Sequence, residues 1–435
     1  MGEGDSAADD PAGESAAGRS GTLPGVADSG DDRVVLHVDV DCFYAACERL
    51  REPELEGEPV VVGMGYEDGE DTGAVATASY EAREYGVESA QAISTALDRL
   101  PRKAEHPDDP DAGYYRPVDM EYYRSVAADV KAVLRDHADV VREVSVDEAY
   151  LDATERTGWE VVDGRPLAEG FARHVKAAVE REAGVTPSVG VAPDVSTAKV
   201  ASDHDKPDGL VVVPPDEVRE FLAPLPADAI NGVGPVRAAA LAEMGIETVG
   251  DVAAADPATL VDRFGEHGRE LHRRARGEDP RPVEPRDDPK SLSRESSFGE
   301  AVEATGPKRE RVRELAADVA RRAEREGALY RTVGIKVVTP PFDVNTRAES
   351  LPGHVRDADL VESVALDLLG EFAAEPVRKL GVRVQGLSFA DAEQSDLGGW
   401  AGEGEGPSHG DDGPADGTGR RRSRTRTGQS SLSEF

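Results

Sequence analysis

The sequence predicts a multidomain protein of mixed α/β (α+β) class, and two patterns predict it. From residue 33 to about 213, short apolar runs that read as strands alternate with stretches of helical apolar spacing. That alternation argues for a mixed sheet with helices packed against it. From 291 to 390 the order is strand, helix, strand, strand, helix, strand, which suggests a small separate βαββαβ sandwich. A chain of 435 residues has room for roughly two to four domains.

Each element follows from its local pattern. RVVLHVDVD (33–41) is an apolar strand that gains polar residues at its end, and 43–50 reads as a helix start. PVVVG (59–63) is a buried strand, and GAVATASYEAREYGV (73–87) runs from strand to helix, stopping near Gly86. Helical spacing returns over 121–137, followed by two short strands around a turn in VVREVSVDEAYLD (140–152). A helix over 167–183 and the strand PSVGVAP (187–193) complete this part. After VVVPP (211–215) the texture is helical and punctuated by glycine up to about Pro280, and the Pro-rich, charged PRPVEPRDDPK (280–290) reads as a linker. The sandwich then takes strand 291–298, helix 307–326, strands 330–338 and 342–349, helix 357–373 and strand 379–389. Segments 1–32 and 391–435, rich in Gly, Asp, Glu and Ser, are expected to be disordered, and no internal repeat is visible.

The formal net charge of −37 is strongly acidic, whereas nucleic-acid-binding domains are usually basic. Only nine of the 50 cationic residues are lysine, and aromatic residues make up 5%. This composition fits adaptation to a cytoplasm of very high salt, as in a halophilic archaeon. At ~1 M salt the Debye length falls to about 3 Å, so long-range repulsion between acidic protein and DNA is screened and local arginines and metals decide binding. Two cysteines, Cys42 and Cys47, are too few for a disulfide framework or a four-ligand zinc site. No apolar run approaches the ~18–20 residues of a membrane span, and Met1–Asp32 lacks the basic start and apolar core of a secretory signal. A cytoplasmic location is expected.

Three acids stand out by their apolar surroundings: Asp39 at the end of VVLHVDVD, and Asp147 with Glu148 in VSVDEAYLD. Carboxylates gathered at adjacent strand ends repel one another unless a cation lies between them. Hard oxygens favour Mg²⁺, with Mn²⁺ as a substitute. Two such ions about 3.5–4 Å apart can stabilise the attacking and leaving oxygens of a phosphoryl transfer. Taken singly, acids at strand ends are more often merely solvated.

HVDVDCFYAACE (37–48), GAVATASYEAREYGV (73–87), VSVDEAYLD (144–152), SVGVAPDVSTAKVASDHDKPDG (188–209) and NGVGPVRAAALAEMGI (231–246) occur in this order. Together they resemble the Y-family DNA polymerases, in the DinB-type branch, over about residues 33–390. The resemblance implies a right-hand polymerase. Its palm would be 33–42 and 119–213, its fingers 43–118, its helix–hairpin–helix thumb 214–280, its linker 281–290 and its βαββαβ little finger 291–390. It implies template-directed translesion synthesis, adding dNTPs to a primer 3′-hydroxyl with two Mg²⁺ ions, at low fidelity and without proofreading. Asp39, Asp147 and Glu148 would be the catalytic metal ligands, with the Val40 backbone carbonyl adding one oxygen. Asp41 is expected to be structural. Tyr44 falls at the steric gate that excludes a 2′-hydroxyl. Phe43 belongs to the same nucleotide-binding stretch, with its ring expected in the core. Thr77, Tyr80, Arg83 and Lys206 match the triphosphate contacts; Tyr80 and Arg83, three apart, share a face at a helix start. Small residues Gly73, Ala74, Ala76 and Ala78 would leave an open wall beside the templating base.

Gly232 and Gly234 in the hairpin would let the backbone turn and present helix N–H groups to a DNA phosphate. Arg294, Arg331, Lys336, Arg347 and Arg383 lie on or beside little-finger strands and are candidate phosphate contacts. The last residues, QSSLSEF (429–435), place Gln429, Leu432 and Phe435 at i, i+3, i+6 and resemble a sliding-clamp (PCNA) binding peptide, after the basic run Arg420–Arg426. Expected partners are therefore primer-template DNA, dNTPs and a sliding clamp, with no membrane and a monomeric chain. The alternative reading is a catalytically inactive polymerase-like scaffold that binds DNA and the clamp.

Overall fold

The central strand of the N-terminal half, Val35–Val40, owes its place to strict alternation. Leu36, Val38 and Val40 enter one core with Val126, Val130 and Val133 of helix Met120–His137 and Ala172, Val175 and Val179 of helix Leu167–Ala183. Val35 faces the other way, into a core with Ala198 and Ala201 of helix Val195–His204. With a side-chain period of two, His37 and Asp39 share the face of Val35. This is a computed structural model, and it describes residues 33–389. Segments 1–32 and 390–435, with Gln429, Leu432 and Phe435, lie outside the described residues.

Five strands make the sheet, in the order Leu210–Val212, Pro187–Ala192, Val35–Val40, Glu148–Asp152, Val140–Glu143. Val35–Val40 runs antiparallel to both neighbours. No sequence-predicted element covers helix Val195–His204, because its buried face is made of small residues that give little periodic signal. It lies unusually close to the sheet. A Cβ on Gly190 would stand 2.2 Å from the Ala198 carbonyl oxygen and 2.3 Å from the Ser202 nitrogen, so only glycine admits the helix at this distance.

A second, three-stranded sheet has Val60–Met64 at its centre, antiparallel to Ala74–Ala78 and parallel to Tyr114–Pro117. The last of these, only four residues long, falls in a segment that carries no strand signal in the sequence. Ser79 ends the preceding strand and caps helix Tyr80–Glu84, its hydroxyl accepting from Ala82 N at 3.3 Å.

Beyond Val213 the chain is helical, as predicted. Val218–Leu222, Pro235–Glu243, Val249–Ala254, Pro257–Phe264 and Glu266–Ala275 bury Leu222, Leu241, Val249, Leu260 and Leu271 in one core. Thr248 and Asp251 form a capping box at the third of these helices. Arg33 donates to the carbonyls of Arg281 at 3.0 Å and Asp279 at 2.9 Å, and Val283 is buried, so the start of the predicted linker packs on the N-terminal unit.

The chain divides between Arg286 and Asp287, inside the predicted linker. The C-terminal unit has the expected βαββαβ order, with sheet order Ser291–Val302, Val377–Gln385, Tyr330–Thr339, Asp343–Val355, all antiparallel. Helices Thr305–Arg325 and Ala358–Leu369 cover one face, where Val333, Ile335, Val337, Leu380, Val382 and Val384 meet Val312, Val319 and Val361. The fully buried Lys308 ammonium donates to the carbonyls of Phe372, Ala373 and Glu375 at 3.2, 2.8 and 3.0 Å. Among the described residues, no helix is long and apolar enough to cross a membrane.

Candidate active site

Pairing of the two central strands sets Asp39 directly opposite Glu148. Val40 N–H donates to the Asp147 carbonyl at 3.0 Å, which ties the turn before Glu148 to the end of the first strand. Ser145 shapes that turn: its hydroxyl accepts from Asp147 N at 3.2 Å and Glu148 N at 3.1 Å and also pairs with the Asp147 carboxylate. Ligand atoms of His37, Asp39 and Glu148 all lie within 4.8 Å of one another. The three acids singled out in the sequence thus lie together at one end of two neighbouring central strands, with Asp147 outside the tightest group.

Two lysines counter this charge. Lys199 Nζ lies 2.9 Å from Asp39 Oδ2 and 3.0 Å from Glu148 Oε2, and Lys206 Nζ lies 2.8 Å from Asp39 Oδ1. Burial works to raise the Asp39 pKa but is outweighed by the two ammoniums, which hold the carboxyl below its usual range. The neighbouring His37 ring, and then Lys199, hold Glu148 at about 2 against the effect of burial. Asp147 behaves oppositely: burial, then the Asp39 charge, pushes it up despite the Ser145 hydrogen bond. Burial likewise lowers the His37 pKa and keeps the ring neutral. Its Nδ1 is 2.7 Å from Ser202 Oγ. Its Nε2 is buried 3.5 Å from Glu148 Oε2, a long contact at the outer limit of a hydrogen bond, and has no closer partner. A buried nitrogen without a closer partner beside two carboxylates is a donor set that fits a divalent cation.

Asp41 points away from this cluster into a hydrogen-bond knot. It accepts from Ser188 Oγ at 2.8 Å, Asp208 N at 2.7 Å and Tyr80 OH at 3.1 Å. It therefore ties the sheet, the loop after Lys206 and the helix of Arg83 together. Tyr80 also lies under the Arg83 guanidinium, 4.6 Å from ring centroid to Cζ, and Arg83 Nε donates to the Ala78 carbonyl at 3.1 Å. Thr77 is half-buried on the adjoining strand. The Tyr44 ring stacks on Tyr123 at 4.6 Å, and Tyr123 OH donates to buried Glu48 at 2.6 Å. Burial and then the nearby Asp147 charge raise the Tyr44 pKa, so this ring borders the acids. Phe43 is 2% exposed and packs in the main core, as its place in the motif led us to expect.

In the hairpin Gly232 has φ +100°, a conformation that needs glycine. Gly234 does not: its φ is −87°, and it serves as the N-cap of Pro235–Glu243. Within the C-terminal unit the five candidate cations separate. Arg383 sits opposite Gly334, and Lys336 opposite Gly381, on the face away from the helices. Lys336 is deeply set there, 2.9 Å from Glu295, which also takes Lys379 at 3.2 Å. Arg347 is registered with core Ile335 and Arg294 with core Val382, so both belong to the helix-covered side. Arg347 pairs there with Glu371 at 2.8 Å. Arg331 is exposed beside a register shift. The reason the five do not act alike is parity along the strands, which sequence spacing hides at the irregular positions.

Residues that the structure places at the site and the sequence did not single out are His37, Lys199, Asp203 and Tyr123. A signal existed for three of them: His37 is two residues before Asp39 on a strand, and Lys199 and Asp203 are one helical turn apart.

Residues 38–203 match the impB/mucB/samB family, 289–397 match the C-terminal domain of the impB/mucB/samB family, and 226–266 match a SAM-like helix-hairpin-helix tandem. DNA polymerase IV of Halobacterium salinarum is 62% identical over 389 residues, covering 89% of this chain and 93% of the relative. That of Methanoculleus marisnigri is 41% identical over 367 residues, covering 84% and 97%. Among solved structures, a Y-family DNA polymerase chimera of Dbh and Dpo4 superposes with a TM-score of 0.72 at 28% identity, over 81% of this chain and 99% of the other. An insertion ternary complex of Dbh DNA polymerase gives 0.57 at 26% identity, over 81% and 98%. A carboxylate-bearing sheet, a hairpin-containing helical segment and a βαββαβ sandwich in this order define a DNA-directed DNA polymerase. The chain belongs to the Y-family, in its DNA polymerase IV branch.

Proposed function

We propose that the protein copies damaged DNA templates, adding dNTPs to a primer 3′-hydroxyl at low fidelity and without proofreading, with two Mg²⁺ ions. The observation that carries this reading is the direct pairing of Asp39 with Glu148 beside the Asp147 turn. In this reading the five-stranded sheet is the palm (33–42 and 119–213), the three-stranded sheet the fingers (43–118), the helical segment the thumb (214–280) and the C-terminal unit the little finger (291–390). Asp39, Asp147, Glu148 and the Val40 carbonyl would hold the ions. When bound, the ions supply Lewis-acid stabilisation of the attacking and leaving oxygens.

The chain's own residues do the rest. Lys206, Arg83, Tyr80 and Thr77 bind the triphosphate, the lysine as a point charge and the arginine as a planar fork. Tyr44, backed by Tyr123, closes the space where a 2′-hydroxyl would sit. N–H groups at the start of Pro235–Glu243 grip a DNA phosphate without reading sequence. Lys336 and Arg383 line the little-finger face that meets the duplex. Gln429, Leu432 and Phe435 bind a sliding clamp, and the acidic composition keeps the enzyme active near molar KCl.

Primer extension with one dNTP at a time, on plain and lesion-bearing templates, tests the reading. The native chain extends both templates, while Asp147→Ala combined with Glu148→Ala extends neither. Equal extension by the two proteins refutes it.

A further inference from the structure

Lys199, on helix Val195–His204, holds its ammonium between two carboxylates, 2.9 Å from Asp39 Oδ2 and 3.0 Å from Glu148 Oε2. A divalent ion bound by those same oxygens would stand about 2.0–2.6 Å from each of them. That is the space the ammonium fills. Two cations cannot share it, so one must leave for the other to enter.

Lysine has somewhere to go. Asp203, one helical turn on, already lies 3.3 Å from Lys199 Nζ and 3.0 Å from Lys206 Nζ. Its side chain is 49% exposed and is free to follow either ammonium. The helix backbone is not, because Gly190 lets it rest directly on the sheet and leaves no slack. The exchange is therefore a side-chain rotation. Lys206, which covers the other oxygen of Asp39, is the proposed triphosphate contact.

We propose that Lys199 is an internal competitor for divalent cations, and that Asp203 is the carboxylate that receives its ammonium when an ion takes Asp39 and Glu148. Both are positioning residues, and the proposal rests on the reading that Asp39 and Glu148 are metal ligands. Its consequence is coupling: ions bind weakly to the protein alone and strongly once nucleotide has drawn Lys206 off Asp39.

The test is Mn²⁺ titration of the full chain in molar KCl, which suppresses loose binding to other acids, with free Mn²⁺ read by electron paramagnetic resonance. Removing the competing charge in Lys199→Met tightens Mn²⁺ binding about tenfold or more, while Lys199→Arg stays near the native value. Asp203→Asn weakens binding in the native background and does so clearly less in the Lys199→Met background, where Lys206 is the one of its two ammonium partners that remains. Native or weaker affinity in Lys199→Met, with an unchanged near-ultraviolet dichroism spectrum, overturns the proposal. So does an equal effect of Asp203→Asn in both backgrounds. Lys199→Gln is the second neutral variant; collapse of the fold in both makes Lys199 a structural brace and also overturns it. Asp39→Asn is the separate control. If it leaves native Mn²⁺ affinity unchanged, the metal-ligand reading itself fails, whatever Lys199 does.

Discussion

Replacing Asp41 separates a structural carboxylate from a catalytic one a single residue away from the ligand set. Its side chain accepts from the Ser188 hydroxyl, the Asp208 N–H and the Tyr80 hydroxyl. Hydrogen bonds to a charged acceptor contribute about 1.5–3 kcal/mol each, and a buried donor left alone costs about 1–3 kcal/mol. Tyr80 is half-buried and can turn to water, so two donors, on buried Ser188 and on the Asp208 backbone, carry most of the loss. Asp41→Ala should therefore cost about 3–5 kcal/mol, with Asp41→Asn recovering part of it. For a unit of this size that corresponds to a fall of roughly 6–20 °C in the melting temperature of the N-terminal unit. Thermal unfolding in molar KCl reads this directly, and Mn²⁺ binding is measured below the transition. The expected pattern is a large stability loss with metal affinity within about threefold of native, because Asp41 faces away from Asp39. Asp41→Asn that keeps native stability but loses metal binding would refute the reasoning and make Asp41 a ligand.

Three further outcomes are expected. Tyr44→Ala opens the space beside the sugar; relief of a clash of about 1–3 kcal/mol raises ribonucleotide incorporation relative to deoxynucleotide about 10–100-fold in single-nucleotide extension. Unchanged sugar selectivity would remove Tyr44 from the gate. Glu148 has a folded pKa of about 2 against 4.5 for the free side chain, so its carboxylate stabilises the fold fully above pH 4.5 and loses that contribution as pH falls towards 2. The acid limb of a stability–pH profile should accordingly be shallower in Glu148→Gln than in the native chain, and parallel limbs would contradict the ion-pair assignment. Gly232→Ala places a side chain at φ +100° and 3.3 Å from His267 Nε2, a strain of about 1–3 kcal/mol that weakens DNA binding equally on all sequences in fluorescence anisotropy. A loss confined to particular sequences would mean that the hairpin reads bases.

Local periodicity made part of the fold readable in advance. The strand RVVLHVDVD, the helices over 121–137 and 167–183 and the βαββαβ order after 291 were all legible, since apolar residues recur at the spacing of the face they bury. Motif order placed Asp39, Asp147 and Glu148 among candidates that a chain with 87 acidic residues otherwise hides. Only tertiary structure decided which acids meet which cations. Strand register brings Asp39 to Glu148, a glycine lets helix Val195–His204 deliver Lys199 between them, and the same sheet turns Asp41 into a separate knot. Parity along the little-finger strands likewise put Lys336 and Arg383 on one face and Arg347 on the other. Such contacts join residues distant in the chain, 160 positions for Asp39 with Lys199 and 147 for Asp41 with Ser188, and no local pattern encodes them because their energy comes from neighbours that exist only once the sheet has formed.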